Sequence, residues 1–259
     1  MPGAHACLLL LTWAAFAQTP EPTLPAVVVI GDSTANNTEG RGWGDPFASY
    51  FDPALVRVVN RARAGRSSRT FFTEGLWDKV AADLKTGDDV VIMQFGHNDD
   101  GPLDDAARAR GMLRGVGGET REIDNPITKQ HEVVHTYGWY LRQFIAAARE
   151  CGATAIGCSP VPRMNWDEGK IRRNSADYAL WARQTAEAGR VAFIDLNARI
   201  ADRYDVLGPD KVAELFFGDH THASRAGAEL NAAIAVAGLQ ELANHPIAGF
   251  LRPHFGRSG

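Results

Sequence analysis

Five short apolar runs recur along the chain, each followed by a longer amphipathic stretch. They fall at 26–30 (Ala26-Val27-Val28-Val29-Ile30), 56–59, 89–95, 154–158 and 191–195. The first contains no polar residue, as expected of a strand covered on both faces. Strand-sized runs alternating with helix-sized segments predict βαβ units and a mostly parallel five-stranded sheet with right-handed crossovers. A helix is predicted before the fourth run. Asn125-Pro126 is its start, Val134, Leu141, Ile145 and Ala148 mark its apolar face, and Gly152 is its stop. A last helix follows Ser224, a suitable N-cap, and carries Leu230, Ile234 and Leu239. The long irregular stretch 99–125 holds Gly111, Gly115, Gly117 and Gly118. A loop of that length inside a compact domain is usually functional or disordered. Because it leaves the third strand, it is expected to cover a substrate.

Composition adds bounds. The 259 residues are 45% hydrophobic and 22% charged, with a net charge of −4. This is ordinary for one α/β domain and gives no reason to expect nucleic acid as a partner. The N-terminus stands apart: Cys7-Leu8-Leu9-Leu10-Leu11 and Thr12-Trp13-Ala14-Ala15-Phe16 precede Ala17. Ala15-Phe16-Ala17 fits a small-x-small cleavage site, which predicts a signal peptide over 1–17, cut after Ala17, and a secreted or periplasmic domain over 18–259. The region before the apolar run has His5 but no Lys or Arg, so a packed or disordered segment is the alternative. The run is too short to span a bilayer, and no membrane insertion is expected. Cys151 and Cys158 flank a predicted strand, too far apart for a disulfide, and are expected to pack as small hydrophobes.

The strand ends deliver the chemistry. The first run stops at Gly31-Asp32-Ser33-Thr34, the second leads into Asn60 to Arg69, the third into Gly96-His97-Asn98-Asp99, and Asp219-His220-Thr221-His222 precedes the last helix. Ligands of open α/β sheets sit beyond the carboxyl ends of the strands. A serine hydroxyl there becomes a nucleophile if a base takes its proton. His222 is placed to be that base, and Asp219, three residues earlier, can fold back to hold the other ring nitrogen. His220 follows Asp219 immediately, points away, and is read as a neighbour. The N–H groups of Ser33 and Gly65 and the Asn98 amide would supply three donors to an oxyanion. Asp32 is expected to brace its own turn.

Gly31-Asp32-Ser33, Gly65, Gly96-x-Asn98-Asp99 and Asp219-x-x-His222 resemble the four blocks of the SGNH, or GDSL-type, hydrolases. The resemblance covers most of the chain beyond the leader. It implies a flavodoxin-like three-layer α/β/α sandwich and ester hydrolysis by Ser33, His222 and Asp219, without metal or cofactor. Gly31 to Ala35, Ala64 to Arg69, Phe95 to Asp99, Asp219 to His222 and the segment 131–142 resemble more narrowly the rhamnogalacturonan acetylesterases. That implies an acetylated polysaccharide as partner and acetyl release from pectin. The protein is expected to be a monomer.

Several residues carry two readings. Arg61, Arg63, Arg66 and Arg69 could be a solvated loop or could bind galacturonate carboxylates. Trp43, Trp139 and Trp166 could stack on sugars or belong to the core. Arg66, Arg69, His97 and Trp166 are the candidate substrate contacts, with His97 also open to a packing role. His131-Glu132-Val133-Val134-His135 matches H-E-x-x-H, which on a helix would hold zinc. The position where a third histidine would fall is Leu141, so a zinc hydrolase is the lesser alternative. A general lipase, thioesterase or arylesterase of the same fold is the nearer one, and a glycan-binding module without turnover is a third. No Gly-x-Ser-x-Gly occurs, which argues against an α/β-hydrolase.

Overall fold

The computed structural model describes residues 23–85, 87–173, 177–242 and 246–252. The expected leader and its Cys7 lie outside the described residues. In chain order the elements are β1 (Ala26–Gly31), α1 (Gly44–Phe47), β2 (Arg57–Asn60), α2 (Ser68–Thr73), α3 (Trp77–Asp83), β3 (Val90–Gln94), β4 (Thr120–Asp124) and β5 (His131–His135). Then follow α4 (Tyr137–Glu150), β6 (Thr154–Cys158), β7 (Trp166–Asp167), β8 (Lys170–Ile171), α5 (Tyr178–Gly189), β9 (Ala192–Ile194), α6 (Leu196–Leu207), α7 (Pro209–Ala213) and α8 (Arg225–Gln240).

The main sheet has the order β2-β1-β3-β6-β9, and every pairing in it is parallel. Side chains alternate across a strand, so β1 feeds two cores. Val27 and Val29 pack with Trp43 and Phe47, with Leu196 and Ile200 of α6, and with Val236 of α8. Val28 and Ile30 pack on the other face with Phe71 of α2, Val80 of α3, Phe144 of α4 and Ala182 of α5. The result is the flavodoxin-like α/β/α sandwich, and it explains why no position in β1 can be polar. Each Val or Ile so buried contributes roughly 1.5–3 kcal/mol. The chain leaves β1 to one side for β2 and to the other for β3, so the strand order reverses there. A crevice opens beyond the carboxyl ends of strands at such a reversal.

The helix expected from Asn125-Pro126 starts later. Thr136 is the N-cap of α4, its Oγ1 accepting from the Trp139 N–H at 3.2 Å. Residues 131–135 form β5, paired antiparallel with β4. Asn125 instead shapes the connecting turn, with Oδ1 accepting from Ile127 N at 2.9 Å. The physical reason is local: Val133 is exposed and Val134 buried, a period of two suited to β-branched neighbours. The helical spacing of Leu141, Ile145 and Ala148 begins only after the cap. The stretch 99–125 is correspondingly less irregular than expected, since its end is β4. Ser224 does cap α8, accepting from Gly227 N at 3.3 Å. Cys158 is buried and Cys151 exposed, both as free thiols. The expectation that Cys151 packs as a hydrophobe is therefore corrected: it is the C-cap of α4 and faces solvent.

Candidate active site

Gly31 closes β1 against Gln94 of β3. A Cβ at Gly31 would lie 2.4 Å from the Gln94 carbonyl oxygen, so this approach requires glycine. Asp32 is buried and braces the turn that follows. Its Oδ1 accepts from Thr34 N at 2.8 Å and Thr34 Oγ1 at 2.7 Å, and its Oδ2 from His97 N at 3.4 Å. The brace presents Ser33 at the crevice.

A second small turn meets it from the far end of the chain. Phe216 and Ala223 form an antiparallel bridge, and Phe217 N donates to the His222 carbonyl at 2.9 Å. Asp219 Oδ1 accepts from the N–H groups of Thr221 and His222, each at 2.7 Å. That folds Asp219 back on the histidine ring, with Oδ2 2.6 Å from His222 Nδ1. His222 Nε2 lies 3.0 Å from Ser33 Oγ. Ser33, His222 and Asp219 thus form one continuous hydrogen-bonded chain. Partial burial pushes the Asp219 carboxyl up, but the His222 ring and the two backbone N–H groups outweigh it and hold the carboxyl down at about 2. It is ionised at neutral pH and stays an acceptor. His220 is exposed and its carbonyl accepts from Met164 N at 2.8 Å.

The Asn98 amide Nδ2 donates to the Arg66 carbonyl at 3.0 Å, which fixes its orientation and leaves a second hydrogen. Gly65 adopts φ +78, a left-handed conformation that favours glycine. Among the described residues, the N–H groups of Ser33 and Gly65 have no hydrogen-bond partner. Ser33, Gly65, Asn98 and His222 line one cavity of about 430 Å³. Such an arrangement can activate a hydroxyl and receive the negative charge of a tetrahedral intermediate.

The expected substrate contacts fare differently. Arg69 is 0% exposed and pairs bidentately with Glu132 at 2.7 Å twice, so it cannot reach a ligand. Its Nη1 also holds the carbonyls of Leu103 and Gly111, at 2.9 and 2.6 Å. Arg66 pairs with Glu74 at 2.8 Å and lines an adjoining cavity instead. His97 and Trp166 are both half-buried and do not line the Ser33 cavity. Burial lowers the His97 pKa, with Asp32 opposing, so its ring stays neutral near neutrality. Trp166 packs against the core, and Trp43 is core, its indole N–H donating to Gln94 Oε1 at 2.9 Å. Trp139 stacks on His135 with ring centroids 3.7 Å apart. Arg41, Arg108 and Arg110 line the cavity, and nothing in the sequence pattern singled them out. The hint was the stretch 99–125 itself, which supplies two of them.

The zinc alternative meets a geometric obstacle. His131 and His135 lie on β5, where residues four apart are about 13 Å apart along the strand. Zinc–nitrogen bonds are about 2.0–2.1 Å. Glu132 is engaged by Arg69, and His131 lies 3.8 Å from Glu122 and 3.5 Å from Asp124. Among the described residues no cluster of three or more His, Cys, Asp or Glu side chains could hold a metal ion. No described helix is long and apolar enough to cross a membrane.

Residues 29–230 match the GDSL-like lipase/acylhydrolase family. The chain belongs to that family. The protein is accordingly an esterase-type hydrolase. It is 31% identical over 225 residues, covering 83% of this chain and 93% of the relative, to a probable rhamnogalacturonan acetylesterase, YesY, from Bacillus subtilis. It is 33% identical over 213 residues, covering 82% of this chain and 83% of the relative, to a rhamnogalacturonan acetylesterase from Emericella nidulans. Among solved structures, protein YxiM from Bacillus subtilis superposes with TM-score 0.67 at 25% identity, over 84% of this chain and 56% of that one.

Proposed function

We propose that this GDSL-like hydrolase is an exported serine esterase that removes acetyl groups from rhamnogalacturonan. The observation that carries the reading is the Ser33–His222–Asp219 hydrogen-bonded chain at the mouth of a polar cavity, and the names of the two relatives supply the polymer. Ser33 Oγ attacks the acetyl carbonyl carbon while His222 Nε2 takes the hydroxyl proton. Asp219 keeps the ring oriented and stabilises the imidazolium. Ser33 N, Gly65 N and the free Asn98 amide hydrogen hold the oxyanion. The intermediate collapses, the C–O bond to the sugar breaks, and His222 returns the proton to the departing sugar oxygen. Water then attacks acetyl-Ser33 with His222 again as base, and acetate leaves. Residues 1–17 direct export and are removed by cleavage after Ala17.

The test is acetate release by the purified protein from acetylated rhamnogalacturonan, from acetylxylan and from aryl esters of increasing acyl length. The reading expects acetate from rhamnogalacturonan at the highest kcat/KM, no effect of a chelator, and an N-terminus at Gln18 in the exported protein. Preference for long acyl chains would move the protein to the lipase or thioesterase reading. Loss of activity with the chelator would return attention to His131 and His135.

A further inference from the structure

The whole chain carries a net charge of −4, yet its candidate active site is locally positive. Arg41, Arg108 and Arg110 line the Ser33 cavity, and Asp219 is the acid among its lining residues. Asp219 is already bound to His222. A second cavity of about 330 Å³ adjoins the first, sharing Gly65, Arg108 and Arg110 with it. Its acid is Glu74, already paired with Arg66. Arg108 and Arg110 therefore form a wall common to two cavities, and neither cavity has an unpaired carboxylate among its lining residues.

Their placement is held from behind. The segment 103–111 is clipped at both ends by the fully buried Arg69, through the Leu103 and Gly111 carbonyls. Between the two arginines, Ala109 is buried and adopts φ +41, a conformation costly for a residue with a Cβ. Strain of this kind persists where surrounding structure enforces it. Arg108 N is anchored to Asp105 Oδ1 at 2.8 Å, and Arg110 Nη1 donates to the Gly65 carbonyl at 3.0 Å. Burial and then the neighbouring Arg108 lower the Arg110 pKa, while Asp99, Asp32 and Asp105 oppose them and the lowering prevails. Two like charges are thus kept near each other on one loop with their neutralisation incomplete, an arrangement that an anionic ligand in the cavity would relieve.

We infer that Arg108 and Arg110 form a carboxylate-reading subsite, which binds a uronate carboxylate of the polymer whose acetyl group is presented to Ser33. Guanidinium groups match a carboxylate in shape and charge. The Ser33 cavity takes the acetyl-bearing unit, and the chain runs over the arginine wall into the second cavity. The inference rests on the esterase reading above and adds to it: discrimination between charged and neutral acetylated polymers resides in this loop and not in the arginines between 61 and 69.

The test compares acetylated rhamnogalacturonan with the same polymer after its carboxyl groups are reduced to alcohols. Wild type and Arg108→Gln are measured at low and high salt. Arg108 is the chosen position because its side chain holds no other part of the protein, whereas Arg110 also supports Gly65. Wild type should favour the charged polymer by about tenfold in kcat/KM, mainly through KM, and lose part of that preference in salt. In Arg108→Gln the ratio should fall several-fold toward one, with Arg108→Lys in between. Unacetylated polygalacturonate should inhibit wild type competitively and the Gln variant more weakly. If wild type cleaves both polymers equally, or the ratio survives in Arg108→Gln, the subsite is refuted while the esterase reading stands. If wild type hydrolyses an aryl acetate but releases no acetate from either polymer, the rhamnogalacturonan reading fails. In that case, competition by polygalacturonate against an aryl acetate still reads the subsite directly.

Discussion

Two histidine-bearing segments of this chain look like catalytic machinery, and the fold uses them in opposite ways. In Asp219-His220-Thr221-His222 a tight turn folds the carboxylate back on one ring and aims the other nitrogen at a serine 189 positions away in sequence, at 3.0 Å. In His131-Glu132-Val133-Val134-His135 the backbone is extended and disperses the same residue types. His131 faces solvent, His135 stacks on Trp139, and Glu132 turns inward to Arg69. The motif with the more specific spacing is thus scaffolding. Spacing implies convergence only for the backbone conformation that the spacing assumes, helical for H-E-x-x-H and turn for D-x-x-H.

The contrast can be broken most severely at the turn. Replacing His222 by Ala should lower kcat by about 10⁴-fold or more, and Asp219→Asn by about 10³ to 10⁴, as losses of a base and of its orienting group do. Steady-state acetate release would show both, and a loss under tenfold at His222 would remove it from the chemistry. The hairpin side should answer in stability instead. Arg69→Met strands Glu132 without its partner and should cost about 3–5 kcal/mol in chemical denaturation, since one half of a buried pair remains charged. Replacing both, as Arg69→Met with Glu132→Leu, should recover much of that loss.

A pH series sharpens the comparison further, because the buried carboxyl of Asp99, next to Asn98 of the Ser33 cavity, and that of Glu132 in the hairpin shift in opposite directions. Burial with only partial compensation from the Ser68 N–H, and with Asp32 nearby, raises Asp99 to about 7. Burial also acts upward on Glu132, but Arg69 and Asn125 overcome it, and its pKa is lowered. A raised carboxyl binds its proton more tightly in the folded state. Asp99 therefore erodes stability as pH climbs from about 4, where the unfolded carboxyl ionises, to about 7, where the folded one does. Glu132 stabilises above its unfolded value, and that contribution disappears as pH falls through its folded one. Asp99→Asn should flatten the melting temperature between pH 4 and 7, whereas Glu132→Gln should remove stabilisation at neutral pH and narrow the acid-side loss. A wild-type melting curve that rises from pH 4 to 7 while Asp99→Asn follows it would contradict the first of these. The smallest effect belongs to His131→Ala, which should change acetate release less than twofold.

The sheet was legible because both of its faces are covered: five apolar runs stand out against polar surroundings, and the strands form within a residue or two of them. The β4–β5 hairpin was hidden because Val134 falls in register with Leu141, Ile145 and Ala148, so one buried strand residue counted as a helical one. Thr136, the cap that separates them, was the available sign. The residues of the Ser33 site were readable because Ser33, Gly65 and Asn98 follow strand runs and Asp219 and His222 stand just before the last helix. The arginines were not. Arg61, Arg66 and Arg69 fall within nine residues, yet Asp83, Glu74 and Glu132 take them up. Arg41 is remote in sequence from Arg108 and Arg110, and only the fold brings the three to one cavity. Charge density along a chain reports on neither partner nor direction.

The most direct measurement is covalent. A fluorophosphonate reacts with a serine activated by a histidine base, so the protein should be labelled once, with intact mass rising by a single adduct and peptide mapping placing it on Ser33. Ser33→Ala should take no label and release no acetate above background. Label on another residue, or acetate release that persists in Ser33→Ala, would contradict the account.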